Sequence, residues 1–162
     1  MIKNNVFHSL RRGWGIQVFG GDATERLRVL NNTFAFESPY RDGHIVLAST
    51  VVDAVIENNV FYDPRAVAVQ YSGGSYVNCV IRRNMIYGGV ASAAPPTGMT
   101  ILDNLDDTDP LLANPTGFDF HLTMASPAVD AGNTLAQVAD DFDGTPRPQG
   151  GGFDLGAFEL GP

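Results

Sequence analysis

The sequence predicts an all-β fold, a right-handed parallel β-helix of about four to five coils followed by an irregular C-terminal capping segment. Two observations lead to this prediction. A short hydrophobic phrase around an asparagine pair recurs along the chain with a period in the twenties, which is typical of solenoids. Within each copy, inward apolar positions alternate with polar or mixed ones, which indicates strands and not helices.

The second asparagine of each pair marks the register of the repeat. The marks, which recur at intervals of about 20 to 27 residues, are Asn5, Asn32, Asn59, Asn84 and Asn104. An isoleucine or valine precedes each mark by three positions, and a phenylalanine or isoleucine follows the first four marks by two. Asparagine tolerates the left-handed conformation of a tight bend, and stacked amides can hydrogen-bond along a ladder. We therefore expect inward apolar columns and an asparagine ladder between coils.

The second half of each copy is looser but remains strand-like. Its β-branched runs are Gly15–Phe19, His44–Leu47 and Val67–Tyr71. Glycine pairs such as Gly20-Gly21 and Gly73-Gly74 follow these runs and indicate corners. A leucine-rich repeat has a similar period, but the leucine frame and the helical half that it requires are absent. The coils are predicted to occupy residues 1–106.

From about Asp107 the repeat is replaced by a different series of motifs. They are Asp109-Pro110-Leu111, Phe118–Leu122, Ser126–Gly132, Asp141–Pro148 and Asp154–Glu159. In this order they resemble the C-terminal segment of bacterial right-handed β-helix proteins of the pectin-lyase-like kind. Phe118 departs from that pattern, because glycine is usual there. The resemblance implies an exported or cell-surface protein with a structural or carbohydrate-related role.

Residues 107–162 are predicted to form a tail that packs on the last coil, so that coils and tail make one domain. A solenoid end exposes strand edges and an open core, which need a cover. We expect Phe118, Phe120 and Phe158 to be buried in that cover. The charged residues expected to lock its loops are Asp130, Asp143, Arg147, Asp154 and Glu159.

Composition excludes several functions. The net charge of −8, from 18 acidic and 10 basic residues, opposes binding to a phosphate backbone, so no nucleic-acid partner is expected. No apolar run approaches the roughly 20 residues of a membrane span, and no signal peptide is recognised. The single cysteine, Cys79, falls in an inward column and is expected to be a buried apolar residue.

Enzymes that resemble this chain include polysaccharide lyases and glycosidases. A lyase needs a basic residue and a cation that neutralises a uronate, and the outward candidates are Lys3, Glu57, Asp63, Arg65, Arg82 and Arg83. A glycosidase needs carboxylates about 5–9.5 Å apart, and the one dense group is Asp103, Asp106, Asp107 and Asp109. Both sets are explained more simply by a solvated face and a loop. A non-catalytic module is therefore favoured, and a small polysaccharide-active enzyme is the alternative.

A sugar-binding surface would need exposed aromatic and charged side chains. The candidates for contact with a polysaccharide are Trp14, Tyr40, Glu57, Arg82 and Arg83. Calcium is the only cofactor that the sequence suggests, through Asp141 and Asp143, and an Asp-Gly turn explains the same residues. The histidines, His8, His44 and His121, have no metal-ligand spacing.

The first coil predicts a partner. Its apolar columns, with Ile2 and Phe7, would be left open at the end of the stack, and an uncovered apolar edge favours association. We predict an isologous homodimer in which two first coils meet about a twofold axis. The loop from Leu10 to Trp14 is the alternative cover.

Overall fold

A computed structural model describes residues 1–36 and 42–161, and it confirms the all-β, parallel β-solenoid architecture. The solenoid has about three complete turns, slightly fewer than the sequence predicted. The difference arises at the last two asparagine marks, Asn84 and Asn104, because their copies of the repeat form strands on only some of the sheets.

Each complete turn contributes four strands. The first turn contains β1 (Ile2–Lys3), β2 (Val6–His8), β3 (Ile16–Val18) and β4 (Thr24–Glu25). The second contains β5 (Arg28–Leu30), β6 (Thr33–Ala35), β7 (Ile45–Leu47) and β8 (Val51–Val52). The third contains β9 (Val55–Glu57), β10 (Val60–Tyr62), β11 (Val69–Tyr71) and β12 (Tyr76–Val77). The partial turns add β13 (Cys79–Arg82), β14 (Met85–Tyr87) and β15 (Met99–Leu102). The tail contains β16 (Leu112–Asn114), a 3-10 helix (Pro115–Gly117) and β17 (Asp119–Leu122).

Four parallel sheets run along the solenoid. Their strand orders are β1-β5-β9-β13-β15, β2-β6-β10-β14, β3-β7-β11 and β4-β8-β12. The register follows the repeat without a slip: Val29 lies opposite both Ile2 and Ile56, and Ile81 lies opposite both Ile56 and Ile101. The predicted apolar column is therefore confirmed, and it is continuous because equivalent residues pair across every turn.

The asparagine ladder is also confirmed. The backbone N–H of each mark donates to the side-chain oxygen of the next mark, at 2.9–3.0 Å from Asn5 through to Asn104. The first residue of each pair makes the bend, with φ of 53° at Asn4, 49° at Asn31 and 58° at Asn58. The two asparagines of a pair therefore have different positions. The amide of the second points inward to the ladder, and the amide of the first points outward.

Stacked aromatic rings fill the interior beside the ladder. The rings of Phe7 and Phe34 are 4.8 Å apart and those of Phe34 and Phe61 are 4.9 Å apart, nearly parallel in both pairs. His44 is fully buried against Phe34 and Phe61. Burial lowers the pKa of His44 to about 4, although a hydrogen bond to the Tyr62 carbonyl opposes this shift.

The tail lies along the flank of the turns, whereas the sequence placed it on the last coil. Its apolar residues, among them Phe120, Leu122, Leu155 and Phe158, pack against Ala35, Val60 and Met85 of three successive turns. The outward amides explain this path, because Asn31 donates to the Asp154 carbonyl and Asn58 donates to the Asn133 carbonyl. Phe120 and Phe158 are buried as expected, but Phe118 is 57% exposed, so its predicted burial is wrong.

A buried ion pair closes the tail. Arg147 pairs with Glu159, and both side chains are fully enclosed. Arg147 also donates to the carbonyls of Asp140, Asp154 and Gly156. Arg147 and Glu159 therefore have the structural role predicted for them, because they satisfy backbone groups that no sheet reaches. The side chain of Asp143 forms a hydrogen bond with the His121 side chain and with no backbone group of the described residues. In the part of the chain that is described, no helix has the length and apolarity needed to cross a membrane.

Candidate functional site

A cavity of about 400 Å³ opens between the tail and strand β2. We call it the aromatic pocket. Its lining residues are Val6, His8, Phe118, Asp119, Phe120, His121, Phe142, Asp143 and Phe158. The volume lies within the range of small-ligand sites, and a mostly aromatic wall with a few polar groups is typical of such sites.

The hairpin of β16 and β17 positions four of the nine lining residues, Phe118 to His121. Asn114 accepts a hydrogen bond from the backbone N–H of Gly117, and Phe118 then turns the chain in a left-handed conformation with φ of 65°. Strand β17 alternates from there, so Asp119 and His121 face outward while Phe120 enters the tail core. The period of two thus places an acid and a histidine side by side at the pocket.

His121 bridges two carboxylates from different parts of the tail. Its Nδ1 lies 2.6 Å from Asp119 Oδ1, and its Nε2 lies 2.8 Å from Asp143 Oδ2. Partial burial lowers the pKa of His121, but hydrogen bonds to Asp143 and Asp119 outweigh that effect and the pKa is raised. The same contact lowers the pKa of Asp119. The contacts therefore favour the protonated imidazole of His121 beside the ionised carboxylate of Asp119.

Aromatic rings surround this trio. The Phe158 ring lies 4.2 Å from the His121 ring, and the Phe142 ring packs edge-on against Phe158 at 5.3 Å. His8 lies 4.9 Å from Phe118, on the other side of the opening. Phe118 and Phe142 are 57% and 53% exposed. These two rings therefore form a rim that solvent and ligands can reach.

The chemistry of the pocket is that of hydrogen-bond acceptance beside apolar ring faces. Asp119 and Asp143 each use one carboxylate oxygen on His121, and no described residue donates to the other oxygen. Both side chains are about half exposed, at 48% and 50%. The free oxygens can accept hydrogen bonds from hydroxyl or ammonium groups of a ligand, and the rim can stack on its carbon skeleton.

Glu57 and Arg82, two of the residues predicted to contact a polysaccharide, lie on one sheet. Their contacts stabilise the fold. Glu57 is buried, pairs with Arg82 at 2.9 Å and accepts a hydrogen bond from the Asn133 amide at 2.6 Å. Glu57 thus connects the solenoid to the tail. Arg83 is exposed beside a separate cavity of about 360 Å³ that Asp103 also lines.

Trp14 lies on a different sheet face. Its indole N–H is within hydrogen-bond distance of the Asp42 carbonyl at 3.0 Å and of Gln70 Oε1 at 3.2 Å, and its ring lies 6.3 Å from that of Phe19. Tyr40 falls outside the described residues. The predicted contacts therefore do not form a single site in the part of the chain that is described.

Three of the acidic candidates, Asp106, Asp109 and Asp141, have backbone partners. Both oxygens of Asp141 are occupied, Oδ1 by the N–H groups of Asp143 and Thr145 and Oδ2 by that of Glu159. Asp106 accepts from the Ala91 N–H, and Asp109 accepts from the Leu111 N–H. Within residues 1–36 and 42–161, no group of three or more His, Cys, Asp or Glu side chains is arranged to hold a metal ion.

The sequence contains little signal for the aromatic pocket. His121 and Asp143 belong to two different tail motifs and are separated by 22 residues, and neither motif indicates that the two side chains meet. The alternation of Asp119, Phe120 and His121 is the one local sign, because it predicts two polar side chains on the same face of a strand. No family model, curated protein or solved structure matches this chain.

Proposed function

We propose that this chain is a short β-helix module of the exported, pectin-lyase-like kind, and that it binds carbohydrate in the aromatic pocket without cleaving it. The observation that supports this proposal is the combination of two exposed rings, Phe118 and Phe142, with two carboxylates that retain free oxygens.

A sugar matches each part of this arrangement. The C–H face of a sugar ring packs on an aromatic ring, while its hydroxyls donate to acceptors at the ring edge. Hydrogen bonds to an ionised acceptor are stronger than neutral ones, and the lowered pKa keeps Asp119 ionised. The pocket is also held in place before binding, since His121 connects Asp119 to Asp143. A preformed site loses less entropy when it binds a ligand.

The same geometry argues against hydrolysis. In glycosidases the glycosidic bond lies between two carboxyl groups, one of which donates a proton. Here the imidazole of His121 fills the space between the two carboxylates, and the pKa of Asp119 is lowered, which disfavours proton donation. Glu57, the acid nearest to the arginines that a lyase would use, is buried and paired with Arg82.

Binding and turnover measurements on the same oligosaccharide panel test the proposal. We expect calorimetry to detect binding, and we expect no release of reducing ends or unsaturated products. Phe118→Ala and Phe142→Ala should weaken binding, whereas Phe19→Ala, at a similarly exposed ring outside the pocket lining, should not. Turnover that depends on Asp119 or Asp143 would instead establish the polysaccharide-active enzyme.

We also propose that the open face of the first turn binds a second copy of the chain. Ile2 and Phe7 are only partly buried there and line a depression of about 620 Å³. Among the described residues no donor reaches Asn5 Oδ1, whereas Asn32 Oδ1 accepts from both the backbone and the side chain of Asn5. Asn5 Nδ2 already donates to the Lys3 carbonyl and to Asn32 Oδ1, so a different donor of the second copy would have to reach the open Asn5 Oδ1.

Sedimentation at micromolar concentration tests the dimer. Ile2→Asp combined with Phe7→Asp should yield a monomer, because each charge would enter an apolar contact. Val77→Asp combined with Leu102→Asp is the control, since both apolar side chains are exposed and lie outside the lining of this depression. A wild-type monomer at these concentrations would refute the proposal.

A further inference from the structure

We infer that the aromatic pocket selects a cationic sugar unit, an amino sugar with a free protonated amine, in preference to a neutral or a uronic sugar. The inference rests on the proposed function, namely that this pocket binds carbohydrate. It adds the charge of the ligand, which neither the repeat nor the tail motifs indicate.

The pocket is negatively charged. Two carboxylates, Asp119 and Asp143, flank one imidazole, so the trio is negative even when His121 is protonated. None of the described lining residues is lysine or arginine. The whole chain has a net charge of −8, which adds to the negative potential at the opening.

The carboxylates of Asp119 and Asp143 can still accept hydrogen bonds from a ligand. One oxygen of each carboxylate already faces His121, which leaves two ionised acceptors directed to solvent or ligand. An ammonium group provides three donors and a full positive charge, so it matches these acceptors better than a hydroxyl does.

The aromatic rim also favours a cation. A cation within about 6 Å of a ring centroid is attracted to the face of the ring. Phe118 and Phe142 present exposed rings next to Asp119 and Asp143 in sequence and in the pocket lining. An amine at this opening would therefore lie between ring faces and carboxylates, while the sugar skeleton covers the apolar surface.

A uronic sugar meets the opposite conditions. Its carboxylate would be a third negative charge beside Asp119 and Asp143, with no lysine or arginine among the described lining residues and with His121 already paired with both aspartates. An N-acetylated sugar keeps the ring and its hydroxyls but loses the charge. Comparing the amino sugar, its N-acetylated form and the uronic sugar therefore distinguishes the contribution of ring stacking from that of charge.

The test is calorimetry of the full chain at about pH 6, where sugar amines are protonated and aspartates ionised. The ligands are an oligomer of glucosamine, its N-acetylated counterpart of equal length, and oligogalacturonate. We expect the glucosamine oligomer to bind about tenfold more tightly than the acetylated one, and oligogalacturonate to bind most weakly.

Variants locate the selectivity. Asp143→Asn should remove most of the preference for the free amine. It should weaken binding of the acetylated oligomer by a smaller factor, because an amide oxygen still accepts a hydrogen bond from a hydroxyl. Asp22→Asn, a matched change at an exposed aspartate outside the pocket lining, should preserve the preference. Circular dichroism of both variants verifies that the fold is retained.

The outcomes separate the two proposals. Equal binding of the free and acetylated oligomers, or tighter binding of oligogalacturonate, would overturn the charge selection and leave carbohydrate binding in place. A simple alkylamine that binds as tightly as the amino sugar would also overturn it, because the sugar ring would then contribute nothing. Binding of none of the three oligomers would overturn carbohydrate binding itself.

Discussion

Replacing Asn59 by alanine measures what the asparagine ladder contributes to stability. Asn59 is fully buried in the middle of the stack. Its Oδ1 accepts from the backbone N–H and the side chain of Asn32, at 2.9 and 3.0 Å. Its Nδ2 donates to the carbonyls of Val29 and Glu57 and to Asn84 Oδ1, at 2.9–3.0 Å. Alanine would remove all of these contacts at once.

The expected loss of stability depends on which hydrogen-bonding partners of Asn59 keep another contact. The Asn32 side chain keeps its bonds to the carbonyls of Ile2 and Leu30, and the Glu57 carbonyl keeps the N–H of Asn31. The backbone N–H of Asn32 loses the partner that the ladder supplies. One orphaned buried donor costs about 1–3 kcal/mol, so with the weaker losses we expect about 3 kcal/mol.

The first rung provides the matched control. Asn5 donates to the Lys3 carbonyl and to Asn32 Oδ1, and it is only partly buried. Asn5→Ala should therefore cost about 1 kcal/mol. Urea unfolding followed by the fluorescence of Trp14, the single tryptophan, reports both values, and equal slopes show that the comparison is valid. If the two variants differ by less than about 0.5 kcal/mol, the ladder is not a buried, cooperative element.

Three further predictions concern the tail and the core. Arg147→Met and Glu159→Gln should each lower the free energy of unfolding by about 3–5 kcal/mol because each leaves a buried charge unpaired. Denaturant unfolding of the double variant checks this. A loss of stability equal to the sum of the two single losses would contradict the prediction. His44→Phe should remove a pH dependence of stability: the native pKa of His44 is about 4 and the unfolded value about 6.5, so the unfolded chain binds more protons between them. The free energy of unfolding of the wild type should thus fall by about 3 kcal/mol as the pH drops through that window. The variant should lack this decrease, and urea titrations at several pH values measure both. Truncation after Asp107 should aggregate in light scattering because the apolar flank loses its cover, and a soluble, equally stable truncation would show that the flank tolerates water.

The aromatic pocket could be predicted from the sequence only in part. Asp119 and His121 are two residues apart on one strand, and the alternation of that strand predicts their common face. Asp143 reaches His121 only because Asp141 and Arg147 hold the loop against the flank. Glu57 appears as an outward, reactive acid in the sequence, but the tail covers it and Asn133 binds it.

The repeat alone determined the solenoid, its register and the asparagine ladder. Each coil pairs with a neighbour that has the same sequence pattern, so the inward column of Ile2, Val29 and Ile56 and the marks Asn32 and Asn59 could be aligned without coordinates. The path of the tail was decided by the tertiary structure. The tail has no repeat, and its position depends on outward amides and apolar side chains that form a continuous flank only after the coils have stacked. The pocket, the exposure of Phe118 and the burial of Glu57 follow from that packing, because they join residues that no local pattern connects.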